Sequence, residues 1–413
     1  MRYSRPRVMI LGMNYDPEST GIAPYTTGMA RGLARDGGVQ VLTTHPHYPT
    51  WKVAEGFGGW RSRSADEGVD VIRLAHFLPS NPSGLGRILS EVSFAARGLM
   101  ARKGRPKVVV VVSPGLLPVL TARLLARVWR VPLIVVVQDI YSSAVAELEL
   151  LGGRLDSAAL SLESYLLRSA DHVVTIHERM KQTLQKKLRV DPSQVTVIPN
   201  WTHVSRPSCD RVAERRAMGW KAQETVVLHA GNMGAKQGLD HVVDAARLAE
   251  LRQLPIRFVL MGGGARREFL IKAASALNTL DVIEAVDSAR FSDVLAAADA
   301  LLLHERPGVE EMCVPSKLTS YFASGRPVIC ATSATGAAAD EVAASGSGVI
   351  VPAGQPEKML AAVESLRLLD LDAMGRRGQH YAETALSQER ALDAYRNIVS
   401  SAIATGARRR IRS

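Results

Sequence analysis

Cysteine is scarce: Cys209, Cys313 and Cys330 are the three in 413 residues, an odd number at unrelated spacings. They make neither a disulfide framework nor a Cys-x-x-Cys metal knuckle, and a reducing cytoplasm suits them. Aromatic residues are few, 5% of the chain. They are not interleaved with basic residues on short strands, so nucleic acid is not an expected partner. Long apolar runs are missing too. Val108 to Val137 is broken by Arg123, Arg127 and Arg130, and its longest uncharged run is 15 residues, short of the roughly 18 that a spanning helix needs. Behind the basic N-terminus, Val8 to Met13 supplies six apolar residues, which read as a first buried strand rather than a signal-peptide core. No Gly-x-Gly-x-x-Gly follows a strand, which argues against a dinucleotide-dependent dehydrogenase. The one Asp-x-Asp triplet, Asp370-Leu371-Asp372, stands at a helix start, where a cap is simpler than a metal site.

The charge that is present is lopsided. Residues 1–200 carry 25 Lys and Arg against 16 Asp and Glu (+9), and the remainder 26 against 24 (+2). A basic excess suits an anionic membrane, phosphorylated ligands or nucleic acid without choosing among them. At about 150 residues per domain the length predicts two or three domains, read here as two. Short β-branched runs alternate with helix-length amphipathic stretches, the pattern of parallel sheets wrapped by helices. The first series runs Arg7–Met13, Val39–Thr44, Val69–Leu74, Val108–Val112, Leu133–Val137, His172–Ile176 and Val195–Ile198. After Pro199-Asn200-Trp201 a second begins: Thr225–Ala230, Ile256–Met261, Val282–Val286, Ala300–His304, Pro327–Ala331 and Gly348–Val351. These spacings predict a Rossmann-like domain over 1–200, a second over 201–384, a helix over 385–404 and a basic tail over 405–413.

In open parallel sheets ligands sit beyond the carboxyl ends of strands, and four such loops stand out. Asn14 to Tyr25 carries Gly21 ahead of a helix that Pro24 can begin, although an ordinary turn accounts for that glycine. Gly231-Asn232-Met233-Gly234-Ala235-Lys236-Gln237-Gly238 clusters amide and cationic side chains suited to oxyanions. Gly262-Gly263-Gly264 allows close backbone approach, with a tight turn the simpler explanation. The last loop, Glu305 to Cys313, leads into Val314-Pro315-Ser316-Lys317-Leu318 at a helix start. A Lys in a first turn opposes the helix dipole. It makes sense there if a diphosphate is bound, with Glu310 and Glu311 accepting from sugar hydroxyls; the alternative is a solvated acidic loop beside a surface lysine. Gly84 to Arg105 places Leu85, Ile88, Leu89, Val92, Ala96, Leu99 and Met100 at helical spacing among Arg87, Arg97, Arg102, Lys103 and Arg105. This is either a membrane-docking helix or a core-facing one with a solvated basic face.

Together Asn14-Tyr15-x-Pro17-Glu18-x-Thr20-Gly21-Ile22, Gln138-Asp139, Pro199-Asn200-Trp201, Gly231-Asn232-Met233-Gly234, Lys236-Gln237-Gly238-Leu239, Pro315-Ser316-Lys317-Leu318 and Ala323-Ser324-Gly325-Arg326-Pro327 resemble family 4 glycosyltransferases of the GT-B fold. Within these the resemblance is to the WcaI-like branch of exopolysaccharide and colanic-acid biosynthesis. It implies two Rossmann-like domains facing across a cleft, the second binding a nucleotide-diphosphate sugar and the first a glycan or lipid-linked acceptor, with the final helix returning to the first domain. It implies retaining transfer, no metal or other cofactor, and a cytoplasmic enzyme, at the inner membrane face if the basic helix docks there. The donor residues it implies are Gly21, Gly231, Asn232, Lys236, Gln237, Gly262, Gly263, Pro315, Ser316, Lys317, Leu318 and Ser320. Lys317, Glu310, Glu311 and Asp139 fall nearest the chemistry, and His47, Trp51, Gln138 and Asp139 beside the acceptor. The usual Arg and Lys of the first donor loop are Asn232 and Gln237 here, and two usual Glu positions hold Met312 and Ser320. A sugar-nucleotide epimerase of the same architecture is the alternative reading.

Overall fold

The apolar runs form strands wherever both faces of a parallel sheet need covering, as in the five consecutive valines from Val108 to Val112, all buried. The computed structural model describes residues 7–80, 84–101, 104–113, 115–141, 153–208, 210–308 and 316–412. It divides into two units: Met1–Asn200 with Gln388–Ser413, and Trp201–Ser387.

In the first unit β1 (Val8–Leu11), α1 (Ala23–Ala34), β2 (Val39–Thr44), β3 (Arg61–Asp66), β4 (Val69–Leu74), α2 (Gly84–Met100), β5 (Val108–Ser113), α3 (Leu116–Trp129), β6 (Leu133–Val137), α4 (Gly153–Arg168), β7 (His172–Thr175), α5 (Glu178–Lys186) and β8 (Val195–Val197) follow in order. The sheet order is β3-β4-β2-β1-β5-β6-β7-β8, parallel except for β3 against β4. Strand β3, Arg-Ser-Arg-Ser-Ala-Asp, is absent from the strands read off the sequence because it has no apolar alternation. Charge holds this edge instead: Arg63 Nε lies 2.6 Å from Asp70 Oδ1. At its end Asp66 accepts from Arg31 Nη2 at 2.7 Å and from Tyr15 Oη at 2.8 Å, which ties down the loop after β1.

The second unit contains α6 (Arg211–Ala217), β9 (Thr225–Ala230), α7 (Asp240–Leu251), β10 (Ile256–Met261), α8 (Arg267–Ala274), β11 (Leu280–Ile283), α9 (Ser288–Ala297), β12 (Ala300–His304), α10 (Lys317–Ala323), β13 (Val328–Thr332), α11 (Ala337–Ser345), β14 (Gly348–Pro352), α12 (Pro356–Ser365) and α13 (Leu371–Thr384). Its sheet order, β11-β10-β9-β12-β13-β14, is parallel throughout. Alternate residues feed opposite cores. Val227, Phe258 and Leu302 pack with α7 and α12, while Leu228, Val259 and Leu301 pack with α9, α10 and α11. Each such side chain contributes about 1.5–3 kcal/mol by leaving water. Asp370 caps α13, accepting from the Ala373 amide at 2.8 Å.

The last helix, α14 (Gln388–Arg412), groups with the first unit. Arg7 Nη2 donates to Ser400 Oγ at 3.1 Å, and Leu392 fills the space over Gly32 of α1. The helix runs past Ala404 and Gly406. That glycine is a point of close approach, since a Cβ there would come within 2.7 Å of Pro132.

Helix α2 departs from the core-facing alternative of its two sequence readings. Leu89, Val92, Leu99 and Met100 are exposed, whereas Ser90, Glu91 and Phe94 are buried. Its apolar stripe faces outward, so the core-facing reading of those residues is corrected: Phe94 and the small Gly98 fill the inner face.

Candidate active site

In the second unit the strand order reverses between β9 and β12, and the carboxyl ends of the strands at such a switch point are where open parallel sheets bind ligands. Lys317, the first residue of α10, reaches back over this point. Its Nζ lies 3.0 Å from His229 Nε2, which is also 3.4 Å from the Asn232 carbonyl, and His229 Nδ1 lies 3.2 Å from the Leu302 carbonyl; when the ammonium donates to Nε2, the ring proton sits on Nδ1. Burial and the lysine charge hold His229 neutral, its pKa well below the usual value. The Lys317 stem is half-buried, yet its amine is enclosed enough that desolvation lowers its pKa to about 7, with Glu305 opposing the shift. Burial raises the Glu305 pKa, against the Thr332 hydroxyl, which donates to Oε2, and against Lys317.

One turn along α10, the Tyr321 phenol accepts from the Ala230 amide at 2.9 Å and lies 3.3 Å from the carbonyls of Ala230 and Leu302. It fastens α10 to the ends of both strands and thereby locates Lys317. Gly231, at φ +128°, admits the lysine: a Cβ there would stand 2.9 Å from Lys317 Cε. An enclosed amine that an anion would recharge, at a strand-order switch point, is suited to a phosphate group.

The other predicted donor residues divide. Gly231, exposed Asn232 and half-buried Lys236 and Gln237 follow β9 at the switch point. Gln237 has a structural task as well, since its Oε1 accepts from the Gly234 amide at 3.0 Å. Gly262 is buried against the Gly231 carbonyl, whereas Gly263 is exposed. Ser316 precedes α10 and Ser320 is buried within it. Leu318 is in the core at 1% exposure, which removes its side chain from any ligand. Glu310, Glu311 and Pro315 lie outside the described residues.

The first unit has its own switch point, between β1 and β5. A cavity of about 260 Å³ opens there, lined by Asn14, Gly21, His47, Tyr48, Trp51 and Asp139, among others. Glu18 shapes one wall. Its Oε1 accepts from the amides of His47 and Tyr48 at 2.7 and 2.8 Å, and its Oε2 from Asn14 Nδ2 at 2.8 Å. The His47 ring meets Trp51 edge-on at 5.6 Å and His76 at 4.6 Å. Gln138 is turned elsewhere: its Oε1 accepts from Asn200 Nδ2 at 2.9 Å, so it braces the β8 end and is not among the cavity-lining residues. From α2, Arg87, Ser90 and Glu91 complete the lining.

Sequence reasoning did not single out His229, Tyr321, Glu305, Ser90 or Glu91. Two signals were available: His229 interrupts an apolar strand two residues before Gly231, and Tyr321 shares a helical face with Lys317 at i+4.

Residues 20–201 match the Glycosyl transferase 4-like domain family, and residues 224–368 match the Glycosyl transferases group 1 family. Over 408 residues the chain is 31% identical to the putative colanic acid biosynthesis glycosyl transferase WcaI of Escherichia coli (strain K12), covering 95% of this chain and 99% of that one. The chain belongs to this glycosyltransferase family. Among solved structures the glycosyltransferase is similar to HepE of Anabaena in complex with UDP-glucose, with TM-score 0.69, 14% identity and coverage of 95% and 99% of the two chains. It is similar also to WaaG, a glycosyltransferase involved in lipopolysaccharide biosynthesis, with TM-score 0.66, 18% identity and coverage of 94% and 99%. These likenesses show the fold, the two Rossmann-like α/β units of GT-B enzymes. The epimerase alternative gains no support from them. Among the described residues no helix of the glycosyltransferase is long and apolar enough to cross a membrane. Nor is any group of three or more His, Cys, Asp or Glu side chains among them placed to hold a metal ion.

Proposed function

We propose that this glycosyltransferase takes its sugar from a nucleotide-diphosphate donor held in the second unit, with the diphosphate against Lys317, and passes it to a glycan or lipid-linked acceptor in the first. The product belongs to an exopolysaccharide or other cell-surface polysaccharide. The observation that carries this reading is the Lys317 amine, enclosed at a strand-order switch point beside a neutral imidazole. Negative charge grows on the donor's β-phosphate as the glycosidic bond breaks, and a fixed cation there lowers the barrier. The WcaI and HepE likenesses support the class, the first through its colanic-acid name and the second through its UDP-glucose complex. Transfer proceeds with retention and without a metal ion, the departing phosphate oxygen taking the acceptor proton. Thermal shift across a panel of nucleotide sugars in excess EDTA tests the donor. A ligand at about 100 times its Kd stabilises the folded state by about 2.7 kcal/mol, so the true donor raises Tm by several degrees. Absence of any such shift, or transfer that stops in EDTA and resumes with a divalent ion, overturns the reading.

A peripheral contact with an anionic inner membrane fits the first unit. Its excess is +9 over residues 1–200, and α2 exposes Leu89, Val92, Leu99 and Met100. An apolar helix face on a basic unit combines the two attractions that hold a monotopic protein. The protein is expected to float with vesicles containing acidic lipid and to leave them in high salt. A Leu89→Ser, Leu99→Ser double variant should remain in the bottom fraction, and flotation unchanged by it would count against the helix.

A further inference from the structure

The burial on α2 is costly in a way that points to a ligand. Ser90 and Glu91 are 1% and 4% exposed, while their neighbours Leu89 and Val92 are 54% and 44% exposed. A buried hydroxyl or carboxyl without a good hydrogen bond costs free energy that outward-facing leucine and valine do not recover. Among the described residues Ser90 Oγ has no hydrogen-bond partner, and Glu91 is met only by the backbone amides of Leu116 and Leu117, the latter at a long 3.5 Å from Oε2, which leaves carboxyl lone pairs for a further donor. Burial pushes Glu91 up to about 7, against the nearby charge of Arg87 and the amides of Leu116 and Leu117. Both side chains line the cavity at the β1/β5 switch point.

The rest of the cavity indicates what fills it. Tyr48 and Trp51 present aromatic surface, Tyr48 lying over Gly21, and a flat ring can stack there. Glu91 and Asp139 outnumber Arg87, so an anionic ligand is disfavoured. The volume, about 260 Å³, falls just below the roughly 300–1,000 Å³ of ordinary small-molecule sites, enough for one ring and not for an extended oligosaccharide.

We infer that this cavity is a subsite for one uncharged pyranose ring of the acceptor, whose hydroxyls complete the hydrogen bonding of Glu91 and Ser90. Either protonation state of Glu91 serves, because a sugar hydroxyl donates to a carboxylate and accepts from a carboxylic acid. The inference rests on the acceptor occupying the first unit, as proposed above.

Ligand-observed NMR on the full chain, with neutral methyl glycosides of glucose, galactose, mannose and fucose as probes and methyl glucuronide as the charged comparison, tests it. At least one neutral glycoside is expected to bind and the glucuronide not. Glu91→Gln, which keeps the shape and removes the titrating proton, and Ser90→Ala should each weaken binding by roughly 10- to 100-fold. Both variants should keep the wild-type Tm, and Lys317→Ala should leave glycoside binding intact. No binding of any neutral glycoside, or binding indifferent to both folded variants, overturns the subsite. If nucleotide sugars still raise Tm in that case, the transferase reading stands without it; if they do not, that reading fails on its own evidence.

Discussion

Lys317→Ala is expected to lower kcat/KM for transfer by about 10²–10³-fold, the range for removing a fixed charge or donor that faces developing negative charge. The variant to pair with it is Lys317→Met, which keeps the stem that fills the space over Gly231. Lys317 is pressed down to about 7 by desolvation, so the free protein gives up stability to hold it. The sign follows from proton counting. Between about 7 and the ordinary lysine value the unfolded chain binds a proton that the folded one does not, so stability rises with pH across that window, and below about 7 the penalty is complete. Lys317→Met should therefore keep or raise Tm, with the larger gain at pH 6 than at pH 9, while lowering transfer as far as Lys317→Ala does. Donor affinity in the parent enzyme should fall as pH rises through about 7, because the diphosphate binds the protonated amine. Near-normal transfer by either folded variant, or donor affinity flat across pH 6 to 9, would remove Lys317 from the phosphate.

The alternation of strands and helices was legible because parallel strands covered on both faces are written as short aliphatic runs. Thr225–Ala230, Ile256–Met261 and Ala300–His304 fall on the observed strands residue for residue. Strand β3 was not legible, since its stability comes from pairing with β4 and from Arg63 and Asp66 rather than from an apolar face. Helix α2 was legible as a helix but not in its orientation. Periodicity identifies two faces, and only tertiary packing decides which one is buried. That is why Glu91 and Ser90 escaped notice while the leucines beside them drew it. Lys317 could be picked out because a lysine opposing a helix dipole is a local inconsistency visible in sequence. Of the residues that aim it, His229 lies 88 positions before it and meets it only in the fold, and Tyr321, one turn along the same helix, reaches the Ala230 amide only in the fold.

The glycine run after β10 allows stability and donor contact to be separated at adjacent positions. Gly262 sits at φ +137°, where a Cβ would stand 2.2 Å from the Gly231 carbonyl oxygen. Gly262→Ala therefore combines a strained backbone with a backbone clash, at roughly 2–6 kcal/mol together. Because Gly231 N donates to Met261 O at 2.8 Å, the displacement also shifts the loop that admits Lys317. Tm should drop by about 5–15 °C and donor binding should go with it. Gly263 is one residue on, exposed and without any atom within 4 Å of a built Cβ. Gly263→Ala should leave Tm unchanged. If the donor's backbone approach passes over Gly263, its methyl group meets the ligand and donor Kd rises in a protein of normal stability. Calorimetric titration of both variants with the donor separates these effects. A Gly263→Ala enzyme with unaltered donor affinity would move the donor away from this loop and leave Gly262 with a packing role alone.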